Sequence, residues 1–257
     1  SSDLDGFGWK AWGTVLKMQG QAEAALPVLE RALVLMPEDA ETHYNLGALY
    51  QDLGRLSEAE ASYQRAITLK PDNAKAHYNL GIAYQDLGNL TEAEASYRHA
   101  LALKPDYTDA HSNLLLTSMY ADTIPPSASF AEHQRYGQHI AEKVAGAVRQ
   151  HTPPTTPLNR PLRVGFVSAD FRTHAVTYFL DPLLVSLKTQ QFELFAYSNS
   201  PQTDSMTAQI RSHVTGWCEV FGLSDAAMAA RIVADGIDIL LDLSGHTAGN
   251  RLAVFAM

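Results

Sequence analysis

Two short segments hold most of the chain's reactive side chains. Ala169-Asp170-Phe171-Arg172-Thr173-His174 places a carboxylate, a guanidinium, a hydroxyl and an imidazole side by side. Ser244-Gly245-His246-Thr247-Ala248-Gly249-Asn250 gathers two hydroxyls, an imidazole and an amide around two glycines. Imidazole is the side chain whose ordinary pKa lies near neutrality, so His174 and His246 are the candidates for moving a proton at pH 7. His174 falls at the expected start of a helix. There the positive end of the helix dipole is expected to favour the neutral ring, which can accept a proton from an attacking hydroxyl. Other chemistries lack their residues. There is no Gly-x-Gly-x-x-Gly and no P-loop, no serine in a nucleophile elbow, and no Cys–His cluster of the kind that holds zinc.

Both segments must be carried by something rigid, and the surrounding pattern says what. Leu162–Ser168 reads as an apolar strand, Val176–Lys188 as a helix, and Phe192–Tyr197 as the next strand. Ser205–Val214 is helical, Trp217–Phe221 a third strand, Ser224–Asp235 a helix and Gly236–Leu243 a fourth strand. Strands alternating with helices imply right-handed crossovers and a parallel sheet covered on both faces, a Rossmann-like unit. Ligands of such sheets sit beyond the carboxyl ends of the strands, where both loaded segments fall.

The N-terminal half follows another rule. Ala40-Glu41-Thr42-His43-Tyr44-Asn45-Leu46-Gly47 returns as Ala74-Lys75-Ala76-His77-Tyr78-Asn79-Leu80-Gly81, and Pro37, Pro71 and Pro105 fall 34 residues apart. A looser copy precedes these, with Trp9, Gly13, Leu16, Ala25 and Ala32, and a fourth begins at Thr108. Gly47, Ala59 and Ala66 let two helices approach, Tyr50 and Tyr63 fill gaps, and the prolines stop each second helix. Ser57-Glu58-Ala59-Glu60 and Thr91-Glu92-Ala93-Glu94 predict capping boxes at the starts of the second helices. This pattern resembles the tetratricopeptide (TPR) family, an α-solenoid whose groove binds peptides.

Asn45, Asn79 and Asn113 share one repeat position and predict a ladder of side-chain amides able to bind a peptide backbone, or else bonds within the solenoid itself. His43, His77 and His111 share another. One histidine per hairpin predicts a packing position, not a metal site. The Asn89-Leu90-Thr91 sequon lies at a helix turn and is set aside.

The segment Ser127–Arg149 is helical without TPR register, and His151–Pro161 holds four prolines, a stiff connector. The expected organisation is repeats over 1–117, bridging helices over 118–150, a Pro-rich linker over 151–161 and the sheet lobe over 162–257. A net charge of −9 argues against general nucleic-acid or anionic-membrane binding, and no run of 18 apolar residues is present. No signal peptide is visible, and the single cysteine, Cys218, fits a reducing compartment. These points predict a cytoplasmic protein. The chain starts without Met and stops straight after an apolar run, which predicts a fragment of something longer.

Repeats, a Pro-rich connector, then Leu162-Arg163-Val164-Gly165-Phe166-Val167-Ser168-Ala169-Asp170-Phe171 with His174 just beyond, together resemble the O-GlcNAc transferases and SPINDLY proteins of glycosyltransferase family 41. Asp238-Ile239-Leu240-Leu241-Asp242-Leu243-Ser244-Gly245-His246-Thr247 is similar to the family's second signature. The resemblance implies a TPR α-solenoid followed by the first, incomplete half of a two-lobed (GT-B) catalytic region. It implies inverting transfer of N-acetylglucosamine from UDP-N-acetylglucosamine to Ser or Thr of a protein client in the groove, with no cofactor or required metal. GDP-fucose as donor, or a non-catalytic adaptor, are the alternatives. His174 is then the expected catalytic base with His246 as rival, and Gly245, His246 and Thr247 line the sugar and acceptor pocket. The nucleotide-binding lobe is missing, so the chain alone is expected to be inactive.

Overall fold

A computed structural model describes residues 4–120, 125–147, 160–188, 190 and 192–257. The chain divides into two compact units, residues 1–133 and 134–257.

The first unit is a run of antiparallel helix pairs: α1 (Gly6–Met18) with α2 (Ala22–Leu35), α3 (Ala40–Asp52) with α4 (Leu56–Leu69), and α5 (Ala74–Asp86) with α6 (Leu90–Leu103). Then comes α7 (Thr108–Tyr120), and α8 (Pro126–Val144) begins in this unit and ends in the second. Local chemistry sets the ends. Asp5, Asp39 and Asn73 cap α1, α3 and α5, each side chain accepting a backbone N–H three residues on. Gly20, Gly54 and Gly88 close the same helices with φ of 71°, 70° and 80°, a left-handed conformation that glycine reaches without cost. Pro37, Pro71 and Pro105 follow the last turns of α2, α4 and α6, as the 34-residue spacing predicts.

The predicted capping boxes are absent. The helical bonds of α4 begin at the Arg55 carbonyl, which accepts from Ala59 N–H at 3.0 Å, so Ser57 already lies inside the first turn. Thr91 lies inside α6 for the same reason, and neither Arg55 nor Asn89 caps with its side chain.

Small residues do bring each pair together. A Cβ on Gly47 would stand 2.6 Å from Tyr63 Cδ1, and one on Gly81 2.5 Å from Tyr97 Cε1. Tyr63 and Tyr97 are fully buried, with Ala59, Ala66, Ala93 and Ala100 around them. Their hydroxyls donate to Gln51 and Gln85 Oε1, both at 3.0 Å, so the rings cannot swing aside. His43 and His77 bond through Nε2 to the Pro37 and Pro71 carbonyls at 3.0 Å, and His111 Nε2 meets Glu132 Oε1 at 2.8 Å. His43 and His77 thus hold the loop that leads into their own helix, and His111 a residue of α8.

The second unit holds a four-stranded parallel sheet of β1 (Arg163–Ser168), β2 (Glu193–Ser198), β3 (Gly216–Glu219) and β4 (Ile239–Asp242). Their order is β3-β2-β1-β4. The crossovers are α9 (Ala175–Lys188), α10 (Ser205–His213) and α11 (Asp225–Ala234), and a 3-10 turn, Leu252–Ala256, follows. Alternate residues of β1 serve the two faces. Val164 and Phe166 pack with Leu180, Leu184 and Ile210 on one side, while Val167 packs with Met228, Ile232 and Val254 on the other. The Pro-rich connector over 151–161 lies outside the described residues except for its end. There Arg160 makes a bidentate pair with Asp238, at 2.7 and 2.9 Å.

Gly47→Ala should therefore destabilise the first unit by about 1–3 kcal/mol through overpacking against Tyr63, read as a lower urea midpoint with unchanged slope. An unchanged midpoint would show that α3 and α4 have room to separate.

Candidate active site

Parallel pairing of β1 with β4 sets two loops at one edge of the sheet, residues 169–174 after β1 and 243–251 after β4. They touch. Ala169 N–H donates to Ser244 Oγ at 3.4 Å, and a Cβ on Gly249, where φ is +74°, would stand 2.9 Å from Ala169 Cβ. Only glycine fits that contact and that backbone together. The bonds joining the loops thus run through Ala169 and Ser244, away from His174.

The first loop folds on itself and on α10. Asp170 N–H donates to the buried Ser168 hydroxyl at 2.9 Å, and the Arg172 guanidinium pairs with Asp170 and Gln202. Thr173 N–H donates to Asp204 Oδ2 at 2.7 Å. Asp204 also accepts Thr207 N–H at 3.0 Å, completing a capping box on α10. The two backbone donors, that of Thr173 first, hold the Asp204 carboxyl well below the usual carboxylate range.

His174 caps α9. Its Nδ1 accepts Val176 N–H at 3.3 Å, and its carbonyl accepts the Thr177 hydroxyl at 2.7 Å. A neutral imidazole has one acceptor nitrogen and one donor, so a ring held this way carries its hydrogen on Nε2. In this geometry His174 presents a donor to whatever lies beyond the loop. The sequence placed His174 at a helix start; the cap bond shows which of its nitrogens that start occupies.

The second loop is built on Asp242, whose carboxylate accepts Ser244 N–H at 3.2 Å and Gly245 N–H at 2.6 Å. Thr247 turns its hydroxyl inward to the Ser244 carbonyl at 2.7 Å, and Asn250 Nδ2 donates to the Thr247 carbonyl at 3.0 Å. Gly245, with φ of +54°, has open space where a side chain would be. The His246 ring meets Tyr136 of α8 edge-on, with centroids 4.9 Å apart and planes at 79°. Behind the loop, Asn199 Nδ2 donates to the Gly249 carbonyl at 2.8 Å, and Arg251 reaches Asn199 Oδ1 at 3.4 Å, the Leu223 carbonyl at 2.8 Å and Asp225 at 2.8 Å.

Asn199, Asp204, Tyr136 and Arg251 escaped sequence reasoning because each acts on a loop from another element or from outside the motif. Asp204 left a trace, an N-cap residue with a hydroxyl three places on. Among the described residues no group of three or more His, Cys, Asp or Glu side chains gathers as a metal set would.

On the solenoid, Asn45, Asn79 and Asn113 take equivalent places on α3, α5 and α7. All three bond within the unit. Asn79 Nδ2 donates to the Tyr44 hydroxyl at 3.1 Å, Asn113 Nδ2 to the Tyr78 hydroxyl at 3.4 Å, and Asn45 Nδ2 to Thr14 Oγ1 at 3.4 Å.

The Asp204 bonds yield a signed expectation. The folded loop binds the carboxylate form, so its contribution is complete above the ordinary carboxylate pKa of about 4 and fades as pH falls below it. Asp204→Asn should lower the melting temperature at neutral pH and make its decline below about pH 4 shallower. Parallel curves for variant and parent would remove Asp204 from the account.

The glycosyl transferase family 41 model matches residues 130–257, and tetratricopeptide repeat models match 13–54, 50–88 and 74–107. A probable UDP-N-acetylglucosamine–peptide N-acetylglucosaminyltransferase SPINDLY of Hordeum vulgare is 29% identical over 146 residues, covering 55% of this chain and 15% of its own. The Arabidopsis thaliana protein of the same name is 34% identical over 101 residues, covering 38% and 11%. A solved mutant of Thermobaculum terrenum O-GlcNAc transferase aligns over 96% of this chain and 47% of its own, with 32% identity and a TM-score of 0.76. The chain therefore spans about half of that structure and a small part of the plant proteins. With its repeats leading into two touching loops at one edge of a parallel sheet, the chain belongs, through residues 130–257, to glycosyltransferase family 41.

Proposed function

We propose that this chain is the client-binding solenoid and first catalytic lobe of a protein O-GlcNAc transferase. The complete enzyme would move N-acetylglucosamine from UDP-N-acetylglucosamine to Ser or Thr hydroxyls of polypeptides held by the repeats. The observation that carries this reading is the meeting of the two loops, Ala169 against Ser244 and Gly249, inside the region that matches family 41. The relatives' names, which specify N-acetylglucosaminyl transfer to peptide, favour this donor over GDP-fucose.

In an inverting transfer the acceptor oxygen bonds to the anomeric carbon as the nucleotide diphosphate departs, and the hydroxyl proton goes to a base. The family resemblance implies that no resident cofactor or metal is required. His174 holds its acceptor nitrogen against Val176, so its Nε2–H serves as a donor to a ligand oxygen. To act as the base it must first exchange the cap bond or its ring proton. His246, steadied by Tyr136, is the second imidazole at the same strand edge. Gly245 leaves room beside it for a bulky ligand. Arg172 pairs with Asp170 and Arg251 with Asp225, and the family resemblance leaves the nucleotide mainly to the second lobe.

No helix among the described residues is long and apolar enough to cross a membrane. Cys218 is half-buried, and burial pushes its thiol pKa up, in keeping with an unreactive thiol in a reducing cytoplasm.

Intact-mass spectrometry of a Ser/Thr-rich protein incubated with the full-length parent and each sugar nucleotide tests the reading. One N-acetylhexosamine should be added from UDP-N-acetylglucosamine. A deoxyhexose from GDP-fucose instead would reassign the donor. His174→Ala should abolish transfer. His174→Asn keeps an N–H donor without a titrating ring, so retained activity with a flat pH profile identifies His174 as a donor. Equal loss in both variants identifies it as the base.

A further inference from the structure

Two observations associate the second half of α8 with the sheet lobe. The compact unit that contains the lobe begins at Gln134, and the family 41 match begins at residue 130, both well ahead of β1. In that half Tyr136, Ile140 and Val144 recur every four residues, so they share one face of the helix. All three are buried. A helix face buried over three successive turns cannot roll without exposing them all, so Tyr136 is fixed together with its neighbours.

Tyr136 meets the imidazole of the second loop. The backbone on both sides of His246 is already held, since Gly245 N–H donates to Asp242 Oδ2 at 2.6 Å and Thr247 N–H to the Ser244 carbonyl at 3.0 Å. Those bonds fix where the His246 Cα stands. They do not fix the ring, which keeps three staggered χ1 wells and a broad χ2. His246 is half-buried beside the open space at Gly245, so a side-chain contact has to choose among these wells. The Tyr136 ring makes such a contact, with centroids 4.9 Å apart and planes at 79°, an edge-on arrangement that the ring quadrupoles favour. Tyrosine turns about only two side-chain torsions, so a buried Tyr136 is a stiff partner.

We propose that Tyr136 is the positioning residue of His246: its ring selects the imidazole rotamer that the site uses, which makes α8 from Gln134 onward a part of that site. Tyr136 acts through the imidazole. The inference deepens the transferase reading, and its kinetic consequence rests on that reading, while its geometric consequence does not. The contact is between rings, so an aromatic ring is needed at position 136 and the phenol hydroxyl is not. An edge-on pair of this kind biases a rotamer equilibrium by about two- to tenfold.

Nuclear magnetic resonance of the full 257-residue chain with labelled histidine reads the geometry without any activity. His246→Gln identifies the His246 signal among the ten histidines, and three-bond couplings to its Cγ report χ1 directly. The parent and Tyr136→Phe should show the couplings of a single rotamer. Tyr136→Leu should show averaged couplings, while the other nine histidine signals, which mark the intact fold, stay in place. Ile140→Val loosens the same buried face one turn away, and should leave the His246 couplings at the parent's values. In the full-length parent enzyme, Tyr136→Leu should lower kcat/KM for N-acetylglucosamine transfer roughly two- to tenfold, with Tyr136→Phe and Ile140→Val within about twofold of the parent. Averaged couplings in the parent, a single rotamer in Tyr136→Leu, equal averaging in Ile140→Val, or unchanged kcat/KM in Tyr136→Leu would each overturn the proposal. If the couplings behave as expected and the parent enzyme transfers no sugar, the transferase reading fails and the orienting of His246 by Tyr136 stands.

Discussion

Everything at the candidate active site depends on β1 and β4 running parallel as neighbours. Ala169 and Ser244 are 75 residues apart in sequence, yet the pairing of Val167 with Asp242 delivers both loops to one end of the sheet. An antiparallel neighbour would have sent the second loop to the opposite edge. Once both loops arrive there, close contact is possible only because Gly249 has no side chain and a left-handed backbone. The remaining parts of the loops are stabilised by groups that do no chemistry. Asp204 and Asp242 collect backbone N–H groups, and Asn199 and Arg251 brace the second loop from behind. Fixed partners of this kind reduce the reorganisation a ligand would otherwise have to drive.

The two units reach order by different routes. The solenoid is assembled from contacts local to each hairpin and its neighbour, with Gly47 and Gly81 setting how near the helices come and Tyr63 and Tyr97 filling the space. The sheet lobe joins distant segments, and its order rests on a central strand buried on both faces. Repetition suits a surface that meets a long, varied polymer, while the sheet edge suits a single site where two loops converge.

How much of this was legible beforehand follows from the same physics. Periodicity announced both folds: a 34-residue repeat with its prolines, then apolar strands alternating with helices, and the observed strands lie within two to three residues of those predicted. The loops that would carry chemistry were also visible, since they followed expected strand ends. What failed was local. Ser57 and Thr91 look like caps in sequence, but the helical bonds start earlier, at Arg55 and Asn89. What could not be read at all was partnership across elements. Nothing near His174 announces Asp204, 31 residues beyond Thr173, and nothing near Gly249 announces Asn199, 50 residues before it. The asparagine spacing was plain, whereas the difference in their partners depends on Lys10 standing where later hairpins have tyrosine.

Because Asn79 and Asn113 each bond a tyrosine of the hairpin before, these bonds also tie neighbouring hairpins together. A solenoid stretches by opening the angle between neighbouring hairpins, and such opening separates Tyr44 from Asn79 before it breaks any helix. The Tyr44–Asn79 bond is 3.1 Å long, so an extension of about half an ångström already takes it past useful hydrogen-bond length. Tension along the stack would then release the amides at the junctions between hairpins while every helix stays intact. The repeats would lengthen at their junctions and not within their helices.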